Sequence, residues 1–235
     1  SSFYSLVLDE NEDVLVMFGY RGSLSLDDID LPENSHYPDD QRAVAIAHIS
    51  KSGTWNWAYP VYGDTNAYNS AQENLLVSGD RVAYQVHASG ATYVITGDTN
   101  HTGLSGQSSY MVGLIEISTG EEVHSLPVSP SYGSTGFYSP RMALDSSGNL
   151  YMMSSAYDAD SLSIDGTDIG MGMFLVKVGP DGTLLWNKSL EGENTGSSFY
   201  SLVLDENEDV LVMFGYRGSL SLDDIDLPEN SHYPD

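Results

Sequence analysis

The sequence predicts an all-β fold built from repeated sets of four antiparallel strands, and three observations carry that expectation. Short runs with strand-like alternation are separated by clusters of Asn, Asp, Gly and Ser, residues that supply positive φ or local side-chain hydrogen bonds in tight turns. No stretch shows the 3.6-residue apolar period of an amphipathic helix. The pattern of runs also recurs, weakly at a spacing of about 60–70 residues and without a single change at 196.

Taken in order, the first period reads "FYSLVLDEN", "VLVMFGYRGSLSL", "RAVAIAHISKSG" and "TWNWAYPVYG". The second reads "QENLLVSGD", "VAYQVHASGATYV", "YMVGLIEISTG" and "EEVHSLPVSP", and the third "PRMALDSSGN", "LYMMSSAYDADSLSI", "MFLVKVGPDG" and "TLLWNKSLEG". Runs such as "AVAIAHI" and "VGLIEI" alternate, as half-buried strands do. "DVLVMF" and "NLYMM" are apolar on both faces, the pattern of strands covered on two sides. A short extra hairpin is expected at "SLSLDDIDL" (23–31) and again at "SLSIDGTDI" (161–169), where Asp27-Asp28 and Asp165-Gly166 form the turns.

A period of this length with four antiparallel strands is the signature of a β-propeller, whose sheets stand radially as blades. The segments are then blade one at 1–63, blade two at 64–129, blade three at 130–192, and a half blade at 193–235. The half blade repeats the start of the chain: residues 197–235 are identical to residues 1–39. Three and a half blades fall short of the roughly 4–8 that close a ring, so closure is expected to need a second unit or chain. The identity of the two copies fits a tandem array of near-identical units, a deliberate engineering step, or an overlap between one unit and the next.

Specific residues carry a resemblance. "MFLVKVGPDGTLLWNKSLEG" (173–192) followed by "FYSLVLDENEDVLVMFG" (199–215), and "AIAHISKSGTWNWAYPVYG" (45–63), resemble the SBBP-like β-propeller repeats of large bacterial and archaeal surface proteins. "IEISTGEEVHS" (115–125) is distantly similar to the Thr-Gly turn of quinoprotein-like propellers, with His124 where their tryptophan falls. The resemblance implies a propeller in a surface protein; its motifs describe turns and a packing tryptophan, so it implies no activity.

The 235 residues carry 34 acids against 8 bases, a formal charge of −26. One copy of the repeat holds nine acids and one base, so the unique 196 residues still carry 25 acids against 7 bases. Such a surface repels phosphate backbones and anionic lipid, which disfavours nucleic-acid and polybasic membrane roles. There is no cysteine, hence no disulfide, thiolate metal site or Cys nucleophile. No apolar run reaches the length of a membrane-spanning helix. Beginning at Ser-Ser, the chain reads as a mature product or as a window on a longer one.

Candidate chemistry is sparse. Aspartates gather in the hairpin regions: Asp27, Asp28, Asp30 with Glu33, then Asp39 and Asp40, and separately Asp158, Asp160, Asp165 and Asp168. The last four are the candidate calcium ligands, since calcium takes six to eight oxygens, although turn chemistry accounts for the same residues. Of six histidines (His36, His48, His87, His101, His124 and His232), His48 aligns with Glu116 and Lys177 at one polar position, read as a solvent-facing strand site. No Gly-x-Ser-x-Gly elbow is present, and the arginines of the unique unit, Arg21, Arg42, Arg81 and Arg141, are scattered. Trp57 and Trp186 each follow a turn glycine by four residues, which suits a recurrent packing role. Trp55 and Trp57 are the candidate ligand-binding aromatics, Trp55 having only Leu184 as its counterpart.

These features lead to a non-enzymatic, secreted or cell-surface repeat protein as the expectation, with a structural, adhesive or self-assembling role and itself as principal partner. A glycan- or protein-binding propeller face is the alternative, and a quinoprotein-like enzyme is less favoured because the second repeat lacks the tryptophan.

Overall fold

The computed structural model describes residues 2–33, 42–63, 67–68, 75–88, 93–97, 99–102, 109–130, 136–137, 139–157, 162–170, 172–222 and 225–227. These residues are all-β: antiparallel strands arranged in sheets, none closed into a barrel, and no helix.

The first repeat supplies β1 (Ser2–Leu8), β2 (Val14–Arg21), β3 (Leu24–Leu26), β4 (Ile29–Leu31), β5 (Arg42–Ile49) and β6 (Trp55–Gly63). The second supplies β7 (Ala67–Tyr68), β8 (Leu75–Ser78), β9 (Arg81–Ala88), β10 (Tyr93–Thr96), β11 (Thr99–Thr102), β12 (Ser109–Glu116) and β13 (Glu122–Pro130). The third supplies β14 (Gly136–Phe137), β15 (Arg141–Leu144), β16 (Leu150–Tyr157), β17 (Leu162–Ile164), β18 (Thr167–Gly170), β19 (Gly172–Val178) and the long β20 (Leu184–Leu204); β21 (Val210–Leu222) and β22 (Ile225–Leu227) follow.

Within each repeat the main strands pair in chain order: β1-β2-β5-β6, then β8-β9-β12-β13, then β15-β16-β19-β20. The sheets nevertheless hold more than four strands, in part because the extra hairpins of the second and third repeats leave their own repeat. β10 pairs with β6 of the preceding sheet, and β17 pairs with β13. The hairpins themselves form as their turn residues dictate: Asp165 and Gly166 sit at φ 47 and φ 75, the left-handed pair a two-residue turn needs. β20 runs unbroken past the boundary expected between 192 and 193, pairing with β19 up to Leu190 and with β21 from Glu191.

Cores lie between successive sheets. Leu15, Met17, Val44, Ile46, Trp57, Tyr59 and Val61 of the first sheet meet Leu75, Val82, Tyr84, Val86 and Met111 of the second. The opposite face of the second sheet, with Val112, Leu114, Leu126 and Val128, meets Met142, Leu150, Met152, Phe174 and Val176 of the third. The middle sheet is thus buried on both faces, so β12, whose "VGLIEI" alternation reads as half-buried, is instead covered on both sides.

Candidate assembly interface

The duplicated segment lets one sequence be compared in two surroundings. In the first copy, β1 and β2 turn Tyr4, Val7, Leu15 and Met17 toward the second sheet, where Leu15 and Met17 are fully buried. Phe3, Leu6 and Leu8, on the other side of β1, are exposed. In the second copy the relation reverses. Leu202, with Phe199 and Leu204 beside it, packs on Ala143, Tyr151, Met153 and Trp186 of the third sheet, while Tyr200, Val203, Leu211 and Met213 face solvent. Leu6 is 63% exposed and its counterpart Leu202 4%; Met17 is 0% exposed and its counterpart Met213 60%.

A strand pair that is apolar on both faces is built to sit between two sheets, and each copy here has one neighbour. The exposed remainders form two apolar faces at opposite ends of the sheet series, one on Phe3, Leu6 and Leu8 and the other on Tyr200, Val203, Leu211 and Met213. Beside the second, the Val210–Gly215 portion of β21 has no strand on its outer side among the described residues, although the same sequence in β2 pairs with β5 over its whole length. Open strand edges are templates for further pairing.

The extra hairpin also differs between the copies. In the first, Gly22 adopts φ 65, a left-handed value glycine takes at no steric cost. The chain bends there, and β3–β4 forms a separate two-stranded sheet whose Leu24, Leu26 and Leu31 lie over Val16, Phe18 and Tyr20. In the second copy β21 runs straight through the same residues, and Ser221 and Leu220 pair with Glu191 and Gly192. That is the attachment to a preceding strand that β10 and β17 also make.

Polar groups concentrate where turns meet strands. Position 48 is not solvent-facing, His48 being buried beside Asp9 and Asp13, while its partly exposed counterparts pair with charged groups, Lys177 reaching Asp145 at 3.5 Å and Glu116 accepting from Arg81 at 2.7 Å. The side chains are polar because each meets a charged group at its own hairpin turn. Asn149 and Lys177 hold the Asp145 carboxyl below its usual range despite the burial that opposes ionisation, and the Arg81 hydrogen bond does the same for Glu116. A second group joins hairpin β10–β11 to β13, with His101 Nε2 2.6 Å from Ser125 Oγ and 3.0 Å from Thr96 Oγ1.

The candidates from sequence scatter. Asp158 and Asp160 lie outside the described residues, as do Asp39, Asp40, His36 and His232. Asp165 is an exposed turn residue, and Asp168 is exposed with Oδ1 accepting the Gly170 N–H at 2.8 Å. Trp57 is buried and its indole N–H donates to the Ile117 carbonyl at 2.7 Å, tying the first sheet to the second. Trp55 is half-buried against the cluster around Phe18. The one metal-ligand cluster among the described residues is Asp9, Asp13 and His48, which sequence spacing did not reveal. No helix among the described residues is long and apolar enough to cross a membrane.

Burial lowers the proton affinity of three histidines. His87 is pushed down to about 4, and His101 and His124 are shifted the same way, desolvation being the main cause in each. Because the folded values lie below the unfolded one, the unfolded chain takes up more protons between them. Stability from these groups is therefore full above about pH 6.5 and is lost as pH falls toward 4. At roughly 1.4 kcal/mol per tenfold change in proton affinity, a shift of that size at His87 corresponds to at most about 3 kcal/mol. Melting temperature should decline between pH 6.5 and 4 and decline less in His87→Gln; equal slopes in the two proteins would refute the assignment to His87.

Comparison with models of protein families, with curated proteins and with solved structures gives no match.

Proposed function

We propose that this chain is a non-enzymatic extracellular or cell-surface repeat protein whose units join in series, its sheets acting as propeller blades and its duplicated strand pair as the joint. The observation that carries the reading is the reversed burial of matched residues in the two copies: Leu6 is exposed and Leu202 buried, while Met17 is buried and Met213 exposed. Where the two exposed faces meet, Leu6 of one unit and Met213 of the next would be buried together, each worth roughly 1.5–3 kcal/mol. A heterologous contact of this kind closes into a ring or continues as a filament, according to the rotation per unit.

The acidic surface suits this role, since a strong net charge limits unspecific association and leaves the apolar faces as the sites of contact. Sedimentation equilibrium from micromolar to millimolar protein tests it. The reading expects masses rising in multiples of 25.5 kDa, and a concentration-independent monomer would exclude it.

A further inference from the structure

We infer that Asp9, Asp13 and His48 form a site for one divalent metal ion of the zinc class, a property separate from unit joining. The site starts in the turn between β1 and β2. Asp9 Oδ1 accepts the backbone N–H groups of Asn11 at 2.9 Å and Asp13 at 2.8 Å, which locks the turn. Asp13 Oδ1 accepts the Lys51 N–H at 2.7 Å from the neighbouring hairpin. Each carboxylate is thus oriented through one oxygen, and its Oδ2 is turned toward His48 on β5.

His48 Nε2 lies 4.0 Å from Asp9 Oδ2 and 3.5 Å from Asp13 Oδ2 and has no hydrogen-bond partner, although its side chain is only 8% exposed. Three ligands about 2.1 Å from a tetrahedral ion stand about 3.4 Å apart, so small movements close the set. Asp9 Oδ2 has only a long contact, 3.4 Å, from Asn11 Nδ2 to give up. The other ring nitrogen is held by the Asn56 amide at 3.3 Å. An amide flip, which exchanges the Asn56 oxygen and nitrogen, puts the oxygen on Nδ1–H; the Nε2 lone pair then faces the carboxylates, the arrangement in which a second partner orients a metal-ligating histidine. Asp13 is partly exposed and leaves a way in for the ion and a water ligand.

The third sheet shows what this place requires. There Asn149 replaces Asp13 and Lys177 replaces His48, so one carboxylate faces one ammonium at 3.5 Å. The first sheet holds two carboxylates and an imidazole in the same frame, a set that a dication balances. One nitrogen and two oxygen donors suit zinc and its neighbours, whereas calcium takes six to eight oxygens. The second copy provides an internal control: Asp205 accepts the Asn207 and Asp209 N–H groups in the same turn, with no histidine across it among the described residues.

Calorimetric titration of the full chain with zinc chloride, and separately with calcium chloride, tests the assignment. One zinc ion per chain is expected, bound at least tenfold more weakly by His48→Gln and by Asp13→Asn and unchanged in Asp209→Asn. Cobalt chloride should give visible d–d absorption that His48→Gln abolishes. Melting curves without metal check that the variants are folded, and Asp13→Asn, the most conservative change at the most exposed ligand, carries the test if His48→Gln is not. Absence of zinc binding, zinc binding indifferent to both variants, or calcium bound as tightly as zinc would each overturn the proposal.

Discussion

Met17→Lys is expected to cost at least about 4 kcal/mol of stability, whereas Met213→Lys, the same change in the same sequence, is expected to shift it by less than about 0.5 kcal/mol. Met17 is fully buried between the first and second sheets, with Leu15, Ile46 and Tyr84 in the same cluster. A lysine there loses the packing of the thioether and places an ammonium where no carboxylate belongs to the cluster. A loss of that size is a large part of the roughly 5–15 kcal/mol that holds a typical domain together. Met213 stands on the open face of the second copy, and its replacement removes nothing from the folded chain. It does place a charge on the face proposed to join units, so, if units join there, Met213→Lys should remain monomeric under conditions where the parent associates. Urea denaturation of the two variants checks the pair, and similar losses in both would mean that the copies share one environment.

Trp57→Ala should cost about 3–5 kcal/mol, the usual range for truncating a buried aromatic. The loss has two parts. The ring lies against Gly120, where a Cβ would come within 2.5 Å of it, so removal opens a cavity at the seam between the first two sheets. The indole N–H also satisfies the carbonyl of Ile117, a buried residue, and an orphaned acceptor adds about 1–3 kcal/mol to the truncation. Trp57→Phe keeps most of the volume and loses the hydrogen bond, so it should fall between the parent and Trp57→Ala. Denaturation midpoints read both; a cost below about 1 kcal/mol for Trp57→Ala would show that the seam does not depend on this ring.

Much of the strand pattern was legible because it is local. Turn clusters at Asp145–Asn149 and Gly179–Thr183 close hairpins with the expected backbone hydrogen bonds, and the short hairpins formed at 24–31 and 162–170 where alternation and turn residues agreed. What could not be read was where those hairpins dock, since β10 and β17 pair across repeat boundaries with strands whose own sequence carries no mark of a partner. His48 was hidden for a related reason. A polar residue in an alternating strand reads as outward-facing, but this one meets the acids of its own sheet's first turn, Asp13 being 35 positions earlier in the sequence. The duplicated segment marks the limit most clearly, because Leu6 and Met17 exchange burial with their identical counterparts Leu202 and Met213, and only the neighbouring sheet decides which.

If units join as proposed, the Phe3–Leu8 face of one meets the Tyr200–Met213 face of the next, and the absence of cysteine permits a direct measurement. Leu6→Cys with Met213→Cys places a thiol on each exposed face, and a short bis-maleimide then reports whether the faces meet. The account predicts a ladder of covalent oligomers that is lost when Leu6→Cys is replaced by Ser52→Cys on an exposed turn. A monomer band alone, open or bridged within one chain, would contradict it.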